Sequence, residues 1–278
     1  MPAVFQYEFM VRALIGGMLV GTLGPTLGMF IVLRRFSLMA DTLSHVALMG
    51  VAVGLATHTY PTASALVAAT VAAVVIEQLR TRGRLPGDVA LAVVLYGSLA
   101  VAVVVISTSE GLNLDLFGFL FGSVLGTSTT DLWLLGGLAV AVVLFVGVFF
   151  VELAQAAYDD DLARVNGIPI GRINLGLAIL TGATITLSMR VVGVLLVGAM
   201  LIVPVLVGLR LAKGLRAAIV AAVAAGVASA FGGLVIAFYA DVAAGGTIVL
   251  VAMALLVAAQ SWAWLRQRSR RASRAQRL

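Results

Sequence analysis

Residues 11–57 read VRALIGGMLVGTLGPTLGMFIVLRRFSLMADTLSHVALMGVAVGLAT. Two apolar runs, 11–33 and 38–57, are parted only by Arg34-Arg35-Phe36-Ser37. A helix that crosses a bilayer core needs about 20 apolar residues, and each run supplies that. The same pattern recurs at 62–79, 88–107, 131–151, 173–189, 191–209, 217–238 and 246–265. The run 173–209 carries Arg190 near its middle and divides into two short spans, with a membrane-dipping hairpin as the other arrangement. The stretch 112–126 is apolar but short and glycine-broken, which fits a re-entrant or interfacial piece better than a span. The expected fold is all-α, a polytopic transmembrane bundle of about eight or nine spanning helices.

Composition points the same way. The chain has 278 residues, 62% hydrophobic and 11% charged, with a mean hydropathy of +1.14. Soluble domains are about 45–50% apolar and about 25% charged. A single soluble core of this size cannot hide so much apolar surface, which argues against a soluble enzyme. There are no cysteines, so disulfides, iron–sulfur clusters and thiolate metal sites are excluded.

The net charge of +6 could point to nucleic acid until the charges are placed. Arg34 and Arg35 follow the first run, and Arg80, Arg82 and Arg84 the third. Arg164 and Arg172 follow the fifth, and Arg210, Lys213 and Arg216 the seventh. Arg266, Arg268, Arg270, Arg271, Arg274 and Arg277 form the tail. With nine spans, these segments fall on one side and hold 16 of the 18 Lys and Arg. Such bias marks the cytoplasmic face, which sets the N-terminus outside and the C-terminus inside. Nucleic-acid binding is not expected. Residues 1–265 read as one transmembrane domain. Residues 266–278 read as a disordered basic tail beside anionic lipid headgroups. Glu8 and the lack of a basic start argue against a secretory signal peptide.

Acidic residues at run ends, such as Glu77, Asp88, Asp131 and Glu152, read as solvated. Asp41 and His45 differ. Four residues apart, they share a helical face. If the interface lies near Arg35, they sit about 9 Å and about 15 Å deep, so His45 reaches the midplane of a core about 30 Å thick. Groups buried there need each other, a cation or water. An oxygen and a nitrogen ligand one turn apart form half a site for a divalent transition metal. A structural ion pair and a proton relay fit the same two residues. His58, beside Tyr60 and Pro61, reads as an interfacial surface residue, with contact to an approaching metal as the alternative.

Glycines spaced by four recur at Gly17/Gly21, Gly24/Gly28 and Gly50/Gly54, a spacing that lets membrane helices approach. Tyr158 to Pro169 is a polar helical candidate that Asp159–Asp161 can start and that Gly167 and Pro169 can stop. No Gly-x-x-x-x-Gly-Lys-[Ser/Thr] loop occurs, so the chain itself is not expected to hydrolyse nucleotides. His-Glu-x-x-His and Gly-x-Ser-x-Gly are also missing, which leaves protease and hydrolase readings without support.

Several blocks together carry a resemblance. They are Gly24-Pro25-Thr26-Leu27-Gly28, Arg34-Arg35 followed by Asp41-Thr42-Leu43-Ser44-His45, Leu116-Phe117-Gly118, Asp159 to Pro169, Val192 to Pro204, and Gly245-Gly246-Thr247-Ile248. In this order they are similar to the permease subunit of the ABC transporters that take up zinc or manganese in bacteria. The resemblance covers about residues 11–262 and implies a multi-pass protein of the bacterial cytoplasmic (inner) membrane. It implies that Asp41 and His45 contact the transported Zn2+ or Mn2+, with no permanent cofactor. It also implies that Asp159, Asp160, Asp161, Leu162, Ala163, Arg164, Val165, Asn166 and Gly167 form a short cytoplasmic coupling helix. The implied partners are two copies of a separate ATP-binding subunit, an external metal-binding protein and a second copy of the permease. The wording Asp-Thr-Leu-Ser-His looks closer to zinc-uptake members. Met49 stands where the family often has proline, which weakens any kink after His45. A proton-coupled secondary transporter using Asp41 and His45 as a relay is the rival reading.

Overall fold

The structure is a computed structural model and describes residues 6–81, 87–108, 118–120, 122 and 128–275. The glycine-broken stretch 112–126 falls largely outside the described residues, as do Arg82 and Arg84. Among the described residues the regular structure is helical throughout: α1 Glu8–Leu33, α2 Leu38–Ala56, α3 Pro61–Thr81, α4 Gly87–Thr108, α5 Thr129–Val148, α6 Phe150–Tyr158, α7 Asp160–Val165, α8 Ile170–Val192, α9 Val194–Leu211, α10 Leu215–Ala240 and α11 Ala244–Ala275.

Eight of these described helices, all but α6, α7 and α9, are long and apolar enough to cross a membrane. The shorter α9 follows α8 after Gly193 alone, whose φ of 92° is open to glycine without a Cβ clash. Arg190 therefore lies at the end of α8 rather than mid-span, and the run 173–209 forms two helices. The run 131–151 breaks early, at Phe149, and α6 turns away from α5. The last helix continues past Arg266 into the stretch expected to be a disordered tail.

Contacts sort the helix ends into two groups. Arg34, Phe36, Arg80, Asp160 and Asn174 meet at one end. Arg216 joins that end over the ring of Phe150. Tyr7 meets Phe238 at the other end, where Asp131 also pairs with Arg190. Following the chain between these ends gives nine crossings if α9 is counted. The first group holds the basic loops.

Helices α1, α2 and α8 lie deepest in the bundle, and α4, α5 and α11 expose the most apolar surface. Valines such as Val103, Val104, Val140 and Val143 point outward, as a lipid-facing surface requires. Small residues set the closest crossings. A Cβ built at Gly21 of α1 would lie 2.7 Å from the carbonyl oxygen of Gly226 of α10. Gly24 and Gly28 meet α9 the same way, and Gly50 and Gly54 meet α3. The spaced glycines are thus packing positions where backbones nearly touch.

Candidate functional site

Asp41 and His45 lie on α2, in its first and second turns. The helix forms without interruption from Leu38 to Ala56, straight past Met49. Its polar residues Thr42 and Ser44 are satisfied: Thr42 donates to the carbonyl oxygens of Leu38 and Leu91, and Ser44 to that of Ala40. The bond from Thr42 to Leu91 ties α2 to α4.

The two candidate ligands are in a different state. Asp41 is exposed in this single chain, and its carboxylate rests on α9. A Cβ built at Gly198 would lie 2.7 Å from Asp41 Oδ1, so glycine at that point leaves room for the carboxylate in its present direction. Its position in the first turn of α2 adds favourable interaction with the helix dipole. His45 is half-buried, and its Nδ1 is fully enclosed with no hydrogen-bond partner. Leaving a buried polar atom unpaired costs about 1–3 kcal/mol. An unpartnered imidazole nitrogen and a carboxylate one helical turn apart are ligand types suited to a divalent cation. Among the described residues no cluster of three or more His, Cys, Asp or Glu surrounds it, so the pair is half a coordination sphere.

Three further buried hydroxyls lack partners: Thr184, Thr186 and Ser188, all on α8. Most buried Ser and Thr here bond back one turn, as Thr181 and Ser229 do. Nothing in the sequence separates these two groups. Gly198 is another residue that spacing alone does not single out.

His58 is exposed and ends α2 in the left-handed region, with φ 52°. The Thr59 N–H bonds to the Gly54 carbonyl, closing the helix end. Its observed role is in the backbone, at a conformation that histidine tolerates better than most residues.

The polar segment after α5 folds as its sequence implies. Asp159 caps α7, its carboxylate accepting from Asp161 N–H at 2.9 Å and Leu162 N–H at 3.0 Å. Gly167, at φ 79°, ends the helix, and the Ile168 N–H bonds back to the Ala163 carbonyl. Ala163 faces inward, while Tyr158, Leu162 and Val165 are exposed. Beside them runs a groove of about 480 Å³ lined by Phe150, Val151, Gln155, Leu162 and Arg216.

Asp160 is partly exposed but paired. It accepts from Arg34 Nη2 at 2.6 Å, and Arg34 Nη1 donates to Asn174 Oδ1. The Asn174 amide donates to Glu77 at 3.4 Å, and Glu77 pairs with Arg80 at 3.1 Å. Phe36 lies under both guanidinium groups, 5.6 Å from that of Arg34 and 4.6 Å from that of Arg80. Burial pulls Arg34 below its ordinary pKa, and the charge of Asp160 opposes that.

Two acidic residues expected to be solvated are therefore buried. Glu77 is 8% exposed within this network. Asp131 is 5% exposed; both its carboxylate oxygens accept from Arg190 Nη1 at 2.9 Å, and it closes a capping box with Ser128. Beside the local partners Arg80 and Ser128, the partners from other helices, Asn174 and Arg190, are distant in sequence, which is why end-of-run position alone misreads them.

The fold defines a multi-pass helical membrane protein that carries an exposed carboxylate and a half-buried imidazole one turn apart on α2. The chain belongs to the ABC 3 transport family, whose model matches residues 6–263. It is 32% identical over 256 residues to the manganese transport system membrane protein MntC of Halalkalibacterium halodurans, covering 92% of this chain and 88% of that one. It is 31% identical over 253 residues to the high-affinity zinc uptake system membrane protein ZnuB of Haemophilus influenzae, covering 91% and 97%. The solved structure of PsaBC from Streptococcus pneumoniae in complex with Fab superposes with a TM-score of 0.79 at 30% identity, covering 92% of each chain.

Proposed function

We propose that this chain is the permease subunit of an ATP-driven importer of a divalent metal ion, zinc first and manganese next, with Asp41 and His45 as its intramembrane metal contacts. The single observation that carries the site is the unpaired, enclosed Nδ1 of His45 one turn from a free carboxylate. The relatives named for manganese and for zinc support metal uptake as the activity, and the motif wording favours zinc. Half a coordination sphere suits a transport site, since the ion must also leave, and water supplies the remaining ligands.

The exposed Asp41 cannot face lipid at its depth. Its open side faces a second copy of the chain or a water-filled path, which supports a homodimer. Two ATP-binding subunits dock at the basic end, on the exposed apolar residues of α6 and α7. An external metal-binding protein delivers the ion at the opposite end. The basic loops set the C-terminus in the cytoplasm of a bacterial inner-membrane protein, with the segment from Arg266 near lipid headgroups.

In vesicles carrying the complete transporter, Asp41→Ala should abolish ATP-driven accumulation of Zn2+ and of Mn2+, assayed separately, while membrane insertion stays normal. Normal accumulation by that variant would sink the site. Accumulation by the chain alone, driven by a pH gradient, would sink the ATP-driven reading.

A further inference from the structure

The network around Arg34 joins the segment assigned to ATPase docking to the helix that carries the metal pair. Arg34 caps the end of α1, and α2 begins four residues later, with Asp41 in its first turn. Between them, Arg35 sits in the left-handed region at φ 59° and Phe36 N–H bonds back to Ile31, so the connection is tight rather than slack. The side chain of Arg34 is 3% exposed, and it reaches α7 with one nitrogen and α8 with the other. Its neighbour Phe36 is held under two guanidinium groups, one from α1 and one from α3. Helix α7 is six residues long, and Asp160 is the residue that ties it to this cluster.

Resting on the reading above, we propose that the Asp160–Arg34 ion pair is the joint that passes displacement of α7 into the first turn of α2, and so to Asp41. The pair has the properties such a joint needs. One partner is buried, held by Asn174 of α8 and by the ring of Phe36. The other is at the surface, its side chain 38% exposed, on a short helix that a docked subunit can move. A charged hydrogen bond at 2.6 Å is short and directional, so it keeps the two side chains together as α7 moves. Asp160 and Arg34 act through α2 and touch no ion themselves; they are positioning residues.

The test uses the intact transporter, with its ATPase and binding protein, in proteoliposomes. Metal moved and ATP hydrolysed are measured together, with Zn2+ and then Mn2+ as the probe. Asp160→Asn keeps the shape of the side chain and removes its charge at a partly exposed position. The ATPase should still co-purify and hydrolysis should persist, while metal moved per ATP falls by about fivefold or more. Asp160→Glu restores the carboxylate and should recover most of that ratio. A ratio unchanged in Asp160→Asn overturns the joint. Loss of the ATPase from that variant also overturns it, since Asp160 would then be a docking contact. If wild-type uptake proceeds without ATP, the functional reading itself falls, which the Asp160 variants cannot by themselves bring about.

Discussion

Two polar regions of this bundle are treated in opposite ways. Around Arg34, four charged side chains and one amide from four elements are matched into a closed set. Around His45, a carboxylate is left open and a ring nitrogen is buried with nothing to bond. Both lie in a chain where only 11% of residues are charged. Desolvated polar groups destabilise a fold unless they are satisfied, and the basic end satisfies them. On α2, Thr42 and Ser44 are satisfied and His45 Nδ1 is not. The difference teaches that the first region holds shape and the second is shaped for something that arrives.

The strongest way to break this contrast is to remove Arg34. Arg34→Met leaves the buried Asn174 oxygen without its partner, which costs about 1–3 kcal/mol, while Asp160, its side chain 38% exposed, is rehydrated. Thermal unfolding in detergent should show it. Arg34→Lys should recover only part, because one ammonium cannot reach both Asp160 and Asn174 as the planar guanidinium does. His45→Gln is the counterpart. It should abolish metal accumulation yet leave thermal stability unchanged, since no hydrogen bond to Nδ1 is lost. If His45→Gln unfolds the protein as Arg34→Met does, the two regions are of one kind and the contrast fails.

Gly198 sharpens the comparison at a smaller scale. Gly198→Ala places a methyl group where Asp41 Oδ1 now rests, at 2.7 Å. The carboxylate must then rotate away from its present direction. Disturbing the support of a metal ligand typically weakens affinity by about 10–100-fold. Metal titration of the purified transporter should show that weakening for both zinc and manganese. Equal affinity in Gly198→Ala would mean that the present direction of the carboxylate is not the one used in binding.

The sequence made different parts of this arrangement visible to different degrees. The spans were legible because bilayer thickness imposes a run length that composition alone reveals, as at 11–33 and 38–57. That Asp41 and His45 share one helix, a turn apart, was legible because helical spacing is a local property. The α7 caps were legible because Asp159 and Gly167 are local signals. What could not be read was pairing across the bundle. Glu77 and Asp131 looked like solvated ends, and nothing local pointed to Asn174 or Arg190 as their partners. Gly198 was one glycine among 30 until α9 was packed against α2. The turn from α5 into α6 was hidden because the apolar run continues through Phe149 and Phe150.

The pair at the opposite end provides the mildest test. Asp131 is as enclosed as Glu77, and Arg190 donates to both its oxygens. Yet the Arg190 side chain is 34% exposed, where that of Arg34 is 3% exposed. Water can therefore replace what Arg190 loses, whereas the buried Asn174 oxygen has no such replacement once Arg34 is gone. Asp131→Asn keeps a side-chain oxygen that can still cap α5 beside Ser128. Its effect should be about 1 kcal/mol, within the range of partly exposed pairs, which corresponds to a melting shift of about 2–4 °C. A loss as large as that of Arg34→Met would show that enclosure of the carboxylate, rather than exposure of the guanidinium, decides what a pair contributes here. A small shift would mean that the cation's access to water sets that contribution, and that the basic end is held more tightly because Arg34 has none.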